Sequence, residues 1–325
     1  MTPEAPAAVI LAAGQGTRMR SALPKVAHPV AGRAMVAHVV RTARAAGADP
    51  VVVVVGHGAE AVRDALAGEP VTFALQAEQL GTGHALACAR GALADHDGPI
   101  FVLNGDGPLL RPTTLAALAD RRAAEAPDGM ALATVVVGNP SGLGRIVRDA
   151  DGALAAIVEE ADADAATRAV REVNPGVYLV GPDVWGFLGE LRADNAQGEV
   201  YVTDLPLRYL AAGRPVATEA VHDPDEVLAA NDRVQLARLE AIARRRIAER
   251  WMRAGVTLEQ PESAWIDDDV ELARDVTIEP FVVLRAGTRV GEGARIGAFA
   301  HLVNCRVAPG AQVAPRTGAQ DAELS

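Results

Sequence analysis

An apolar residue stands at every sixth position near the end of the chain, and this period constrains the fold more than any other feature. Seven residues keep the register from Ile266 to Leu302, and a second row of six small or β-branched residues runs beside it from Val270 to Ala300. Hexads of this kind build parallel β-helices, because each turn buries a ring of side chains against the next turn. The first row is Ile266, Leu272, Ile278, Leu284, Val290, Ile296 and Leu302, and the second is Val270, Val276, Val282, Thr288, Ala294 and Ala300.

The hexads also give the C-terminal part of the chain its predicted boundaries. The register fades at Ala308, so we predict a short parallel β-helix over residues 256–314, with little more than two coils, and a disordered tail over residues 315–325. Residues 232–255 come before the repeat and place apolar side chains among many arginines. That pattern predicts one long amphipathic helix, which links the repeat to the rest of the chain.

Residues 1–231 have a different texture and are predicted to form an α/β domain. Short apolar runs alternate with segments of helical spacing, as in parallel sheets whose strands are joined by right-handed crossovers. We therefore expect a doubly wound, mostly parallel sheet. The predicted strands are 7–13, 51–55, 99–104 and 130–137, and the predicted helices include 34–47 and 83–93.

Charge and cysteine content exclude several classes of protein. A net charge of −11 argues against nonspecific binding to nucleic acid or to anionic membranes, so an anionic ligand has to be held by local charges. Cys88 and Cys305 have no metal-ligand or redox spacing, which favours two structural thiols in a reducing compartment. The sequence contains no signal-peptide pattern and no apolar stretch long enough for a membrane span, so we expect a cytoplasmic protein.

The loop after the first predicted strand has the composition of a phosphate-binding turn. Gly14 and Gly16 let backbone N–H groups approach a phosphate, while Thr17 and Arg18 add a hydroxyl and a guanidinium. The loop is not a Walker A motif, because G-x-x-x-x-G-K-[ST] is absent, and it is not a dinucleotide fingerprint, because Met19 stands at the third glycine position. A tight structural turn explains the two glycines about as well.

Lys25 adds weight to the phosphate interpretation. It is the only lysine in a chain of 325 residues that has 30 arginines. An ammonium is a compact point charge, whereas a guanidinium is a wide planar fork, so the two are not interchangeable at a phosphate. A single surface lysine that has survived by accident is the alternative.

Asp106 and Asn231 are candidate ligands for a divalent cation. Asp106 follows a buried strand in "NGDGPLL", where its carboxylate can hold Mg²⁺ against phosphates, and Asn231 offers a neutral oxygen before the long helix. Each residue also has an ordinary structural interpretation, an Asx turn for Asp106 and a helix N-cap for Asn231.

Other polar residues are candidates for recognition of a base and a sugar. The amide of Gln76 presents a donor and an acceptor to a nucleobase edge, and Thr82 lies close by in sequence. The segment "GEVYVTD" (198–204) offers hydroxyls and a carboxylate for a sugar, or else a hydrogen-bonded strand end. His57 and His84 have no third partner for a triad or a metal site, which favours structural roles for both.

Taken together, these motifs resemble the bacterial N-acetylglucosamine-1-phosphate uridyltransferase family, whose members also carry an acetyltransferase part. The resemblance covers residues 7–314 and is specific through its combination of motifs in one order. The motifs are "LAAGQGTRM", "LPKVAH", "LQAEQLGTGHA", "NGDGPL", "GLGRIV", "IVEE", "VNPGVYL", "GEVYVTD" and "NDRVQLARLE".

The resemblance implies a fold of the nucleotide-diphospho-sugar transferase type, a left-handed β-helix and a role for each candidate residue. UTP would react with N-acetylglucosamine 1-phosphate to give UDP-N-acetylglucosamine and pyrophosphate, with Mg²⁺ as cofactor. Leu11, Ala12, Gly14, Gln76, Gly81 and Thr82 would hold the uridine, and Arg18 and Lys25 the triphosphate, with Lys25 serving its α-phosphate. Asp106 and Asn231 would hold Mg²⁺, and Gly144, Glu159, Asn174 and Thr203 the amino sugar phosphate.

The chain departs from the family pattern in two ways. Six positions hold residues other than those common in the family, namely Gln15, Asn104, Leu143, Glu160, Ala161 and Pro175, and Pro175 lies beside the implied sugar-binding Asn174. The short repeat implies that the acetyltransferase part is missing, so we expect no acetyl transfer and a monomer or a weak trimer through the β-helix. Two alternatives remain: a related enzyme that joins glucose 1-phosphate to UTP or dTTP, and a catalytically inactive paralogue.

Overall fold

The computed structural model describes residues 5–325, so the first four residues of the predicted domain 1–231 lie outside the described residues. The described chain divides into two compact bodies. The first consists of the residues up to His28 together with Met35–Asp232, and the second consists of Pro29–Ala34 together with Arg233–Ser325. Nothing in the sequence indicates that residues 29–34 belong to the second body.

The strands up to residue 220 include the four that the apolar runs predict. They are β1 (Ala7–Ala12), β2 (Pro29–Val30), β3 (Arg33–Ala34), β4 (Val51–Val55), β5 (Thr72–Leu75), β6 (Ile100–Asn104), β7 (Met130–Val136), β8 (Gly144–Arg148), β9 (Leu154–Val158), β10 (Glu172–Asn174), β11 (Val177–Val180) and β12 (Val216–Ala220). All of these except β2 and β3 form one sheet of ten strands in the first body.

Parallel pairing in this sheet determines where its loops gather. The strand order begins β5-β4-β1-β6, and these four strands are parallel, so their carboxyl ends lie along one edge. Beyond β6 the sheet is mixed, because β11, β7, β10, β8 and β9 pair antiparallel in turn, while β12 joins β7 in parallel. The predicted α/β class is confirmed, with the parallel pairing concentrated in the first half of the sheet.

Helices pack against the sheet and explain its continuous apolar strands. The α-helices are α1 (Met35–Ala45), α2 (Ala59–Ala65), α3 (Thr82–Cys88), α4 (Pro112–Glu125), α5 (Ala165–Arg168), α6 (Val184–Leu188), α7 (Leu205–Ala211) and α8 (Arg233–Arg253). All five residues of β4 are buried, so both of its faces are covered. One face places Val52 and Val54 in a cluster with Leu86 of α3, Val184 of α6 and Tyr209 of α7. The predicted helix 83–93 is instead α3 followed by the 3₁₀ helix Arg90–Leu93.

The second body joins α8 to the β2–β3 hairpin through a buried carboxylate. Glu240 of α8 accepts a hydrogen bond from the backbone N–H of Ala31 at 2.7 Å. The hairpin also meets Asp268, whose backbone N–H donates to the Ala31 carbonyl at 2.9 Å and whose carboxylate lies 3.3 Å from Arg33 Nε. These contacts join residues that are far apart in sequence, which is why the sequence analysis assigns residues 29–34 to the first domain.

The hexads form the predicted left-handed β-helix. Its strands are β13 (Thr257–Leu258), β14 (Trp265–Ile266), β15 (Glu271–Leu272), β16 (Thr277–Ile278), β17 (Val283–Arg285), β18 (Arg289–Val290), β19 (Arg295–Ile296), β20 (His301–Val303), β21 (Arg306–Val307), β22 (Gln312–Val313), β23 (Gly318–Gln320) and β24 (Glu323–Leu324). They form three parallel sheets of four strands each. Every residue of the two six-spaced rows is buried, which is the packing that the period predicts.

The repeat continues beyond the point at which its register fades in the sequence. Arg285 still pairs with Val303 at the regular spacing, but Arg289 pairs with Arg306, one residue earlier than the period requires. The shortened corner is made by Asn304, which adopts the left-handed conformation (φ 50) that asparagine tolerates. The apolar rows therefore resume one residue out of step, and the β-helix has four coils rather than little more than two.

The prediction of a disordered tail over residues 315–325 is wrong for the same reason. β23 pairs with β20, and β24 pairs with β21, so the segment completes the fourth coil. The hexad pattern does not predict its strands, because the segment contains few apolar residues and its register has shifted by one residue. Backbone hydrogen bonds to the third coil hold the segment in place.

Hydrogen exchange after deletion of residues 315–325 tests this correction. The N–H groups of His301, Arg306 and Ala308 donate to Thr317, Ala322 and Leu324 at 2.7–2.9 Å, so the deletion removes all three acceptors. We expect these amides to exchange at least about fivefold faster in the shortened chain, the factor for a net loss of ~1 kcal/mol. The amide of Arg289, which donates to Cys305, is the internal control. Equal exchange rates in the two chains would restore the disordered-tail interpretation.

Candidate active site

Two adjoining cavities open at the carboxyl ends of β1 and β6. The larger has a volume of about 410 Å³, and the smaller has a volume of about 210 Å³. Thr82, Asn104 and Asp106 line both cavities, so the two form one continuous cleft in the first body. This is the edge at which ligands bind in open α/β sheets.

The larger cavity brings together most of the residues implied for the nucleotide. It is lined by Leu11 and Ala12 at the end of β1, by Gly14 of the loop after β1, by Lys25, by Gln76, Gly81 and Thr82, and by Asp106. Arg18 is exposed in the 3₁₀ helix Thr17–Met19 and does not line either cavity. Its role on the triphosphate stays a prediction.

Lys25 lies at the centre of the cleft and contacts both candidate metal ligands. Its Nζ is 2.5 Å from Asp106 Oδ2 and 3.0 Å from Asn231 Oδ1. The Lys25 and Asp106 side chains are only 18% and 13% exposed. Lys25 lines the larger cavity, Asn231 the smaller and Asp106 both, so the cluster marks the junction of the two cavities.

The same geometry tests whether Asp106 and Asn231 fit a divalent cation. A carboxylate oxygen and a carboxamide oxygen converge on one cationic atom of the chain, which stands where both oxygens point. Oxygen ligands of this kind are those that Mg²⁺ prefers, with phosphates and water completing its shell. Within residues 5–325, no three His, Cys, Asp or Glu side chains are grouped as a metal site. The donor set fits an ion shared with a phosphate ligand.

Gly14 and Gly16, the two glycines of the loop after β1, differ in what surrounds them. A Cβ on Gly16 would lie 2.5 Å from the Cβ of Lys25, and Gly16 has a φ of +60, so this position accepts no side chain. A Cβ on Gly14 would meet no atom within 4 Å, and Gly14 lines the larger cavity. The protein itself therefore explains Gly16, which lets Lys25 approach the loop, whereas no contact within the protein requires a glycine at position 14.

The smaller cavity contains the four residues implied for the sugar, which are Gly144, Glu159, Asn174 and Thr203. The Asn174 amide is fixed, because it donates to Tyr178 Oη at 2.6 Å and accepts from the Gly176 N–H at 3.0 Å. The Thr203 side chain is buried in the same cavity and lies beside the Glu159 carboxylate, whose pKa it lowers by hydrogen bonding.

Carboxylates surround the smaller cavity and change its acid–base character. Burial raises the pKa of Glu159 above its usual range; a hydrogen bond with Thr203 partly offsets this, and the nearby charges of Asp162 and Asp204 add to it. Glu226 is 5% exposed, lines the same cavity and accepts a hydrogen bond from the Thr114 hydroxyl. Sequence reasoning missed Glu226, since nothing near it in the sequence marks a site and its partner lies on α4.

The loop that covers the smaller cavity is held by an ion pair. The Arg145 side chain is 2% exposed and lies 2.5 Å from the Glu160 carboxylate. Arg145 also donates to the Leu143 carbonyl, and the Gly142 N–H donates to Glu160 at 3.2 Å. Arg145 and then Gly142 lower the pKa of Glu160. Glu160, noted in the sequence as a departure, thus fixes the loop that carries Gly142, Leu143 and Gly144.

Positive charge is scarce in the cleft. Among the described residues that line the two cavities, Lys25 is the one Lys or Arg side chain, whereas Asp106, Glu159, Glu199 and Glu226 are acidic. A ligand that carries several phosphate charges therefore needs further cations, which a metal ion would bring.

Comparison with known proteins gives the family. A family model described as a MobA-like NTP transferase domain matches residues 8–255. The bifunctional protein GlmU of Syntrophotalea carbinolica is 48% identical over 313 residues, which cover 95% of this chain and 66% of that protein. GlmU of Thermus thermophilus is 48% identical over 317 residues, which cover 97% of this chain and 69% of that protein. This chain belongs to the GlmU family.

The GlmU resemblance found in the sequence motifs is thereby confirmed. The chain spans about two thirds of the length of these relatives, 66% and 69% respectively. Among solved structures, a putative glucose-1-phosphate thymidylyltransferase from Bacillus anthracis in complex with a sucrose matches with a TM-score of 0.62 at 21% identity, covering 74% of this chain and 96% of that one. A UDP-glucose pyrophosphorylase complexed with UDP-glucose matches with a TM-score of 0.61 at 18% identity, covering 74% and 98%. Both structures show the fold of this GlmU-family chain.

None of the helices among residues 5–325 combines the length and the apolar character that crossing a membrane requires.

Alanine at the two loop glycines tests how the site is built. Gly16→Ala is expected to lower the free energy of unfolding by more than about 1 kcal/mol, because the new Cβ collides with Lys25 and the backbone is strained. Gly14→Ala is expected to leave it unchanged or raise it by less than about 1 kcal/mol, yet to weaken nucleotide binding. Denaturant unfolding and nucleotide titration measure the two effects. Equal loss of stability in both variants would contradict the assignment of Gly14 to a ligand.

Proposed function

We propose that the chain is a Mg²⁺-dependent uridylyltransferase that joins UTP and N-acetylglucosamine 1-phosphate to give UDP-N-acetylglucosamine and pyrophosphate. The observation that carries the proposal is the cluster of Lys25, Asp106 and Asn231 at the junction of the two cavities. A reaction that joins two substrates needs its charge-bearing groups between them, and this cluster lies there. We also propose a cytoplasmic enzyme of cell-wall precursor synthesis, as the resemblance of its sequence motifs implies.

The bond changes require no covalent enzyme intermediate. A phosphate oxygen of the sugar phosphate attacks the α-phosphorus of UTP, and the bond from that phosphorus to the pyrophosphate oxygen breaks. The attacking oxygen is already anionic, so no general base has to remove a proton. The residues of the cleft therefore act by positioning and by charge neutralisation, which supply most of the catalysis in phosphoryl-type transfers.

Lys25 is the residue of the chain that neutralises charge at the reacting phosphate. Its ammonium has three N–H hydrogens, of which Asp106 and Asn231 take two, so one remains for a phosphate oxygen. Asp106 and Asn231 hold the ammonium on one side and thereby aim it into the cleft. When bound, Mg²⁺ would be held by the same two residues in place of the ammonium and would supply positive charge to the phosphates, which leaves the Lys25 N–H groups to a phosphate oxygen.

The sugar would lie in the smaller cavity. Asn174, fixed by Tyr178 and Gly176, presents its second amide N–H and the remaining lone pair of its carbonyl oxygen to sugar hydroxyls. Thr203 and Glu159 line the same cavity as a pair. The Glu159 carboxylate lines the same cavity and can accept hydrogen bonds from sugar hydroxyls.

Three departures from the family pattern bear on the choice of sugar. Asn104, Leu143 and Pro175 all line the smaller cavity. They favour, as a second candidate, the related reaction of glucose 1-phosphate with UTP or dTTP.

Pyrophosphate release over a matrix of substrates tests the proposal. The matrix pairs UTP, dTTP, CTP and ATP with N-acetylglucosamine 1-phosphate and glucose 1-phosphate, each with and without Mg²⁺. We expect release with UTP, N-acetylglucosamine 1-phosphate and Mg²⁺, and no acetylated product from acetyl-CoA and glucosamine 1-phosphate. Faster release from glucose 1-phosphate would favour the second candidate. No release from any pair would indicate an inactive paralogue.

Lys25→Arg tests the shape of the charge rather than its presence. A planar guanidinium cannot place one compact charge between Asp106, Asn231 and a phosphate, so we expect kcat to fall by at least ~100-fold, the scale of one lost preorganised donor. Arg121→Lys is the matched control, because it makes the reverse exchange in an ion pair with Glu219 that lies outside both cavities. Activity of Lys25→Arg within a few-fold of the parent would contradict the argument.

A further inference from the structure

The amide of Gln76 is held by two protein acceptors in the wall of the larger cavity. Gln76 follows β5, is 4% exposed and lines that cavity. Its Nε2 lies 3.0 Å from the Gly81 carbonyl oxygen and 3.1 Å from His84 Nδ1. A carbonyl oxygen can only accept, so the amide atom that faces Gly81 must be the nitrogen.

His84 takes the second N–H of this amide. An acceptor at Nδ1 requires the tautomer that carries its proton on Nε2, and this N–H faces Cys88 Sγ at 3.9 Å, one helical turn further along α3. Both N–H hydrogens of Gln76 are thus used within the protein. The carbonyl oxygen Oε1 is the group of the amide that remains for a ligand.

We propose that His84 is a positioning residue for base selection, because it turns Gln76 so that only an acceptor faces the nucleobase. This inference rests on the proposed function, since it takes the larger cavity as the nucleotide pocket. An acceptor at this place pairs with the ring N–H of uracil or thymine. Cytosine presents a ring nitrogen that is itself an acceptor, so the two lone pairs repel each other. The interpretation of His84 as merely structural, favoured by its sequence context, is replaced by this role.

Gly81 alone does not fix the amide completely. If the Nδ1 acceptor is removed, the hydrogen bond to the Gly81 carbonyl still favours the orientation of the Gln76 amide that turns Oε1 to the ligand. The flipped amide then sacrifices one hydrogen bond instead of two, so the preference between the two orientations is weaker. The expected consequence is a partial loss of discrimination between bases rather than a loss of binding. A ratio of affinities for UTP and CTP measures this directly, because general damage to the pocket weakens both nucleotides together.

The experiment is calorimetric titration of UTP and of CTP into the parent chain and three variants, with no sugar phosphate present. In the parent we expect UTP to bind more tightly than CTP. His84→Leu removes the acceptor and is expected to lower the ratio of the two affinities about tenfold. His84→Asn places an amide oxygen near the position of Nδ1 and is expected to keep the ratio within threefold. His96→Leu is the control, a half-buried histidine bonded to the Pro99 carbonyl that does not line either cavity.

His84→Ala takes the place of the leucine variant if the latter melts at a lower temperature than the parent. A parent that binds UTP and CTP equally, or binds neither, overturns the inference. So does a folded His84→Leu or His84→Ala chain whose affinity ratio stays within twofold of the parent. A chain that separates UTP from CTP but releases no pyrophosphate would disprove the proposed reaction and leave the role of His84 standing.

Discussion

The rest of the site depends on one contact, in which Lys25 shares its ammonium between Asp106 and Asn231. The two distances, 2.5 Å and 3.0 Å, join three parts of the first body that are far apart in sequence. Asp106 follows the end of β6, Asn231 precedes α8, and Lys25 begins a 3₁₀ helix. That helix lies close to the loop after β1, because Gly16 has no side chain that would collide with Lys25. A shift in any of these elements would move the ammonium away from the junction of the cavities.

Electrostatics explains why this contact matters so much in an acidic protein. The chain carries a net charge of −11, and the lining of its cleft holds one lysine against four carboxylates. Two phosphate-bearing substrates can enter such a cleft only if positive charge is concentrated where they meet. In the proposed reaction, Lys25 supplies the fixed part of that charge, and a metal ion on the oxygens of Asp106 and Asn231 would supply the rest. The same scarcity makes a compact lysine more useful here than an arginine.

Most of the fold and much of the site could be predicted from the sequence, because the signals were local. Apolar runs gave the first strands, the six-residue period gave the β-helix, and the motif order gave the family. The β2–β3 hairpin was missed because its partner Glu240 lies on a helix some two hundred residues away in sequence. The fourth coil was missed because one shortened corner at Asn304 shifts the period. The role inferred for His84 needs Gly81 and Gln76 in space, and no spacing in the sequence reveals that both amide hydrogens are used.

The central claim is that one continuous cleft holds both halves of a sugar nucleotide, with the cluster of Lys25, Asp106 and Asn231 at the phosphates between them. A crystal structure of the chain grown with UDP-N-acetylglucosamine and Mg²⁺ tests this most directly. We expect uracil beside Gln76 in the larger cavity, the sugar beside Asn174 in the smaller one, and the metal on Asp106 and Asn231. A sugar nucleotide that lies outside the smaller cavity, or a metal bound without Asp106, would contradict it.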